Sequence, residues 1–349
     1  RGGMACADLN GDGWLDIVIG GTIPGEAWNT TGAEGGKTAT VYLNDQNGHF
    51  IKQQEFSEYM FDNTTHPVKL IDWNNDGYSD LILTGWNMTQ GNVSRTHVYL
   101  NDGNANFTLA DVALPGVSEG SIELADFSNS GRCDILINGN CNGGYQGFTV
   151  DRRISVLCKN KTAKVNAIPT APTNLASKFE GNQLTLSWDE GADEETPVKS
   201  LSYNYYLRDL ETGKFITSPN ADVATGLRRI NAIGNAWLNR SITLRNLPTG
   251  RYGWSVQTLD ASNAGSGFAP EQEIYIENSG VTELYNSNPN YITVHVEGTT
   301  VYVESPIKSN IDIFALDGRH FATLTLSSGK ANITLPRGFY LIEGQKILI

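Results

Sequence analysis

The chain has few basic residues and no long apolar run, and its cysteines and histidines fall at no metal-binding spacing. Lys and Arg total 25 against 38 Asp and Glu, a formal charge of −13 over 349 residues. Phosphate attraction needs clustered cations, so this balance argues against nucleic acid and anionic membrane surfaces as partners. No segment approaches the roughly 18–20 consecutive apolar residues of a membrane span. Cys6, Cys133, Cys141 and Cys158 show no CxxC spacing and the five histidines are scattered, which argues against zinc. Cys141 and Cys158 form the one candidate disulfide. No HExxH occurs, and no catalytic residue is assigned.

What is present is the composition of a folded protein rich in turns. Apolar residues make up 39% and charged residues 18%, with 37 glycines and no long Ala/Leu/Glu/Lys stretches. That combination favours an all-β fold. The first half also repeats itself. "MACADLNGDGWLDIVIGG" from Met4 returns as "VKLIDWNNDGYSDLILTGW" from Val68 and as "IELADFSNSGRCDILINGN" from Ile122. Each copy is an apolar strand, a nine-residue loop bounded by Asp, and a second apolar strand. A third strand follows ("ATVYLNDQNGHF", "THVYLNDGNANF" and the weaker "RISVLCKN"), and in the first two copies a fourth begins at Phe50 or Phe107. Four short antiparallel strands per unit are the pattern of a β-propeller blade. Three blades are visible; propellers close with about four to eight, so they are expected to be part of a larger, seven-blade-type ring, completed either by further blades before Arg1 or by a partner.

The loops carry the chemistry. Calcium takes six to eight hard oxygen ligands. In the first loop Asp8, Asn10, Asp12 and Asp16 stand at positions 1, 3, 5 and 9, with the carbonyl of Trp14 available at position 7. The second repeats this with Asp72, Asn74, Asp76, Tyr78 and Asp80. The third keeps Asp126 and Asp134 but has Ser128, Ser130 and Arg132 between them, and is expected to hold metal weakly or not at all. Asp and Asn also build turns by bonding their own backbone, but two full matches in register inside a repeat favour the metal. A helix–loop–helix site is disfavoured, because Ile19 and Leu83 occupy position 12, where a bidentate Glu belongs.

These repeats resemble the FG-GAP/VCBS family, whose calcium-loop blades also build integrin α-chain propellers. The resemblance covers residues 1–166. It implies that Ca2+ stiffens one end of each blade and that partners bind longer loops joining the second and third strands. Here those are Gly21–Lys37, Gly85–Thr96 and Gly139–Asp151, carrying Trp28, Trp86 and Tyr145 among Gly, Asn and Thr. Aromatic planes beside amides suit a glycan or an extracellular protein ligand; packing between blades is the competing role for each ring.

A Pro-flanked linker, "NAIPTAPTNL", opens a second domain over 167–278. It resembles a fibronectin type III sandwich, with Trp188 as an early-strand core residue, Leu247 and Tyr252 in "LPTGRYGWSVQTLD" as the tyrosine corner, and an unusual insert over Ala221–Asn235. Residues 279–349 alternate strongly, and "IDIFALDGRHF…ITLPRGFYLI…KILI" resembles the C-terminal sorting domain of type IX secretion substrates in the Bacteroidetes. That resemblance implies outer-membrane secretion machinery as a partner. The expectation is a secreted or cell-surface, calcium-binding, non-catalytic binding or adhesion protein, made of propeller blades and two β-sandwiches. The alternatives are the accessory portion of a polysaccharide-degrading propeller enzyme with upstream catalytic residues, and a structural surface spacer.

Overall fold

The computed structural model describes residues 2–22, 37–56, 59–60, 67–87, 93–142, 152–277, 292–305, 310–315, 318–342 and 345–349. Among these there is no α-helix, only one 3-10 turn at Val198–Ser200. The chain forms two compact units, Arg1–Glu277 and Asn278–Ile349.

The first unit begins with three antiparallel sheets. Blade 1 is ordered β1 (Gly2–Ala7), β2 (Asp16–Thr22), β3 (Lys37–Asn44) and β4 (Phe50–Phe56). Blade 2 is built around β7 (Asp80–Asn87), which pairs with β5 (Tyr59–Met60), β6 (Val68–Ile71) and β8 (Val93–Asn101), and β9 (Phe107–Leu109) closes it. Blade 3 has three strands, β10 (Ser118–Ala125), β11 (Asp134–Cys141) and β12 (Arg152–Cys158). In place of a fourth strand the chain enters the linker, where Pro169 and Pro172 lack the N–H a ladder needs.

The blades share one register. In blade 1 the cross-strand rows are Met4–Ile19–Thr40, Ala5–Val18–Val41 and Cys6–Ile17–Tyr42. Blade 2 has Val68–Leu83–His97, Lys69–Ile82–Val98 and Leu70–Leu81–Tyr99. Blade 3 has Ile122–Ile137–Val156, Glu123–Leu136–Leu157 and Leu124–Ile135–Cys158. Successive side chains point to opposite faces, so the middle row faces away from the other two. Val18 and Val41 share a core with Val68, Leu81, Leu83 and Tyr99. Ile82 and Val98 share the next with Ile122, Leu124, Ile135 and Ile137. Blade 2 is covered on both faces, and therefore reads as a continuous apolar run rather than an alternating one.

The cysteines are all free. Cys141 stands opposite Arg152 and Cys158 opposite Ile135. The two thiols are thus six rungs apart, about 20 Å at strand spacing, far beyond disulfide reach. The expected pair does not form.

The rest of the first unit is a sandwich of two sheets. The three-stranded sheet is ordered β13 (Thr173–Glu180), β14 (Gln183–Asp189), β17 (Ser241–Arg245). The four-stranded one is ordered β16 (Phe215–Thr217), β15 (Ser202–Asp209), β18 (Gly250–Leu259), β19 (Gln272–Ile276). Trp188, Tyr203 and Trp254 pack in its centre, and Tyr252 Oη donates to the Pro248 carbonyl at 2.9 Å.

The second unit has the same strand order. β20 (Thr293–Glu297), β21 (Thr300–Glu304) and β24 (Lys330–Thr334) form one sheet; β23 (His320–Thr325), β22 (Asn310–Ala315), β25 (Phe339–Ile342) and β26 (Gln345–Leu348) form the other. Its Tyr340 Oη donates to the Pro336 carbonyl at 3.0 Å. The two corners share the spelling Leu-Pro-x-Gly-x-Tyr, at Leu247–Tyr252 and Leu335–Tyr340, and both leucines are buried. Both sandwiches thus turn into a central strand by the same device.

Candidate functional site

The first two Asp-bounded loops have the same internal bonding. Asp8 Oδ1 accepts the N–H groups of Gly11 and Asp12, and Oδ2 accepts that of Gly13. In the second loop Asp72 accepts from Asp76 and Gly77. Position 3 receives the amide of position 5 and donates back: Asp12 N–H bonds Asn10 Oδ1, and Asn10 Nδ2 reaches Asp12 Oδ2. Asn74 and Asp76 do likewise. Position 5 accepts the N–H of position 7, Trp14 or Tyr78. Each loop is a nest of side-chain oxygens folded onto its own amides.

Position 9 has a different task. Asp16 accepts the N–H of Leu9 and of Asn44, while Asp80 accepts those of Trp73 and Asn101. This carboxylate ties the start of the loop to the end of the blade's third strand. Asp134 does the same with Ser128 and Asn160. The clasp survives in all three blades, whereas the carboxylate at position 5 has become Ser130 in the third. There Ser130 Oγ meets Ser128 Oγ, and the Arg132 guanidinium binds the carbonyls of Ser130, Thr162 and Ala163.

Electrostatics sets the first two loops apart. Asp16 is raised to about 6, Asp72 to about 7 and Asp80 to about 8, by burial first and by the neighbouring loop carboxylates in addition. Asp8 is raised by burial as well. What opposes this is backbone amides rather than a basic side chain. Among the described residues, no group of three His, Cys, Asp or Glu converges as a ready-made metal centre. The donor set nevertheless suits a hard cation: carboxylates at positions 1 and 5, an amide oxygen at position 3 and a carbonyl at position 7, with no soft ligand.

The sandwich sits directly on these loops. Ser200 Oγ donates to Asp8 Oδ2 at 2.8 Å. Asp72 N–H donates to the Ala261 carbonyl at 3.1 Å, and Ser262 Oγ binds both the Asp72 carbonyl and Asn75 Oδ1. Gly77, at φ +98°, lies so close to Glu195 that a Cβ there would come within 1.9 Å of its carbonyl oxygen. Asn166 Nδ2 donates to Asp260 Oδ2 at 2.7 Å, and burial raises Asp260 to about 7. The Ala221–Asn235 insert acquires a purpose: Asn231 Nδ2 reaches the Leu124 carbonyl on β10 at 2.6 Å. Beside it is a cavity of about 260 Å³ between β1, β6 and the sandwich, lined by Cys6, Lys69, Ile233 and Asp260 among others.

Of the aromatic residues proposed for recognition, Trp28 and Tyr145 lie outside the described residues. Trp86 is described by its backbone alone, paired with Ser94 and Met60 at the far end of β7 from the Asp loop.

Two overlapping segments, residues 8–83 and 72–137, match the FG-GAP-like repeat family. No curated protein sequence matches the chain. Among solved structures, the crystal structure of the chicken CNTN1 FN1-FN3 domains is similar at 12% identity, over 79% of this chain and 90% of that one, with a TM-score of 0.22. Residues 8–137 thus carry FG-GAP-like repeats in blade-like sheets.

Proposed function

We propose that this is a secreted or cell-surface binding module whose first two blade loops hold Ca2+, and that it recognises a glycan or extracellular protein without chemistry of its own. The carrying observation is the pair of loops in which Asp8, Asp12 and Asp16, and again Asp72, Asp76 and Asp80, crowd together against backbone amides. Like charges so placed favour a cation. Asp8, Asn10 and Asp12 would hold it in blade 1, and Asp72, Asn74 and Asp76 in blade 2. Bound there, the ion supplies charge neutralisation and stiffness at the junction with the sandwich. Recognition falls to the opposite ends of the blades, where Trp86 belongs.

The C-terminal sandwich is proposed to serve as the sorting element for outer-membrane export. The whole reading is tested by retention of the 349-residue protein on a glycan array and on immobilised matrix proteins, with calcium and with chelator. Calcium-dependent retention weakened by Trp86→Ala supports it. New reducing ends or unsaturated products released from the glycans would overturn the non-catalytic reading.

A further inference from the structure

The hairpins that follow the third strands of blades 1 and 2 share one frame and differ at a position beside the Asp loop. Leu43–Phe50 reads "LNDQNGHF" and Leu100–Phe107 reads "LNDGNANF". Asn44 donates its N–H to Asp16 and its side-chain amide to the Leu15 carbonyl; Asn101 does the same with Asp80 and Ser79. The side-chain oxygen of each asparagine accepts the N–H two residues on, from Gln46 or Gly103. Both of those residues are left-handed, at φ +64° and +81°. Glycine adopts that conformation freely, whereas a glutamine does so against its own Cβ. Gly103 is also needed where it stands, because a Cβ would come within 2.7 Å of the Tyr78 ring. Blade 1 keeps a side chain at the strained position, and Gln46 Nε2 reaches Asp12 Oδ2 at 3.3 Å. The same oxygen receives Asn10 Nδ2 at 3.2 Å, so two carboxamides converge on the position-5 carboxylate.

We propose, resting on the reading of the first loop as a calcium site, that Gln46 is a further ligand there, supplied from outside the loop and without a counterpart in the second. Calcium takes six to eight oxygens, and the loop alone is short of them. Asp16 gives its two oxygens to the N–H groups of Leu9 and Asn44, which leaves the side chains of Asp8, Asn10 and Asp12 and the Trp14 carbonyl. A carboxamide carries its donor and its acceptor on opposite sides of one torsion. A half-turn of Gln46 therefore brings Oε1 to the place beside Asp12 Oδ2 that Nε2 occupies. Facing the carboxylate alone, the NH2 end donates; facing a cation held by Asp12, the oxygen end binds. The backbone agrees with such a task, because a side chain kept in a left-handed conformation at a cost in strain marks a functional position. The second loop has the Tyr78 ring against Gly103 and no side chain at that position. The two sites thus differ in ligand number, and the first owes part of its affinity to the hairpin.

The test is calcium titration calorimetry on the full 349-residue chain carrying Asp76→Ala, which leaves the first loop as the site measured. Gln46→Gly suits the left-handed backbone, so it should melt no lower in chelator while raising the calcium dissociation constant about tenfold. Gln46→Glu should lower that constant by a similar factor, because affinity follows the charge of the ligand set. The second variant separates a ligand from a mere partner of Asp12: a carboxylate that met only Asp12 would repel it and weaken binding. In the chain carrying Asp12→Ala instead, where the second loop is measured, neither substitution should change the constant. Calcium uptake by the Asp76→Ala chain that is indifferent to Gln46→Gly, or weakened by Gln46→Glu, overturns the proposal and leaves the calcium reading standing. No uptake by the Asp76→Ala chain refutes the first loop as a calcium site, and the proposal with it.

Discussion

Ser200 of the sandwich and Asp8 of the first blade share a hydrogen bond of 2.8 Å, to the same carboxylate oxygen that receives the Gly13 amide. The loop proposed to hold metal is therefore also a docking surface within the first unit. Charge on that loop bears on two things at once, the fold of the blade and its grip on the sandwich.

Gly77 has no room for a side chain at that junction. It has a left-handed φ of +98°, and a Cβ would meet the Glu195 carbonyl at 1.9 Å. Gly48 has a similar φ of +89° but open space around it. Gly77→Ala is expected to cost about 2 kcal/mol or more, and Gly48→Ala about 1 kcal/mol, since only the first adds a backbone clash to backbone strain. Urea unfolding of the two variants measures the difference.

Position 9 and position 5 of the loops should separate by mutation. Asp80→Ala leaves the buried amides of Trp73 and Asn101 without their acceptor and should cost about 2–4 kcal/mol with or without calcium. Asp12→Ala, in a less buried part of the first loop, should cost under ~1 kcal/mol in chelator yet remove that loop's response to calcium. Thermal melts of both variants in each condition provide the comparison.

The metal-free protein should be less stable at pH 8 than at pH 5. Asp16, Asp72, Asp260 and Asp80, raised to about 6, 7, 7 and 8, hold protons in the folded state that the unfolded chain has already released near its ordinary value of ~4. Their favourable contribution is complete below ~4 and is lost as pH climbs through the folded values. Asp260→Asn should flatten part of this slope, because the amide still accepts from Ala264 and can donate to Asn166 Oδ1, a buried atom with no partner. Chelator-treated protein melted at several pH values checks the sign.

The repeated corner predicts matched effects in both sandwiches. Tyr252→Phe and Tyr340→Phe each remove one hydroxyl donor to a proline carbonyl and should each cost about 1 kcal/mol. Denaturant titrations followed by near-UV circular dichroism report them.

Strand order within the blades was legible because short apolar runs around Asp-bounded loops are local signals, repeated at Asp8, Asp72 and Asp126. The likeness between the two sandwiches was spelled out in Leu-Pro-x-Gly-x-Tyr, but its meaning depends on a hydrogen bond that only the fold brings about. The junction was not legible. Ser200, Glu195, Asp260 and Ser262 are ordinary polar residues in turns, and what places them on the blade loops lies far away in sequence. The insert was visible as an anomaly, and its contact with Leu124 was not. The cysteine pair failed for the same kind of reason: proximity in sequence concealed a six-rung separation along one ladder.

The central claim is that the first two loops hold calcium and that the sandwich feels it. Its most direct test is the melting curve of the metal-stripped protein at pH 7.5 as calcium is added, beside the Asp12→Ala/Asp76→Ala double variant. The account predicts a rise in the unfolding temperature of the first unit that saturates with calcium, exceeds the effect of magnesium and vanishes in the double variant. An unchanged curve for the native chain, or an equal rise in the double variant, would contradict it.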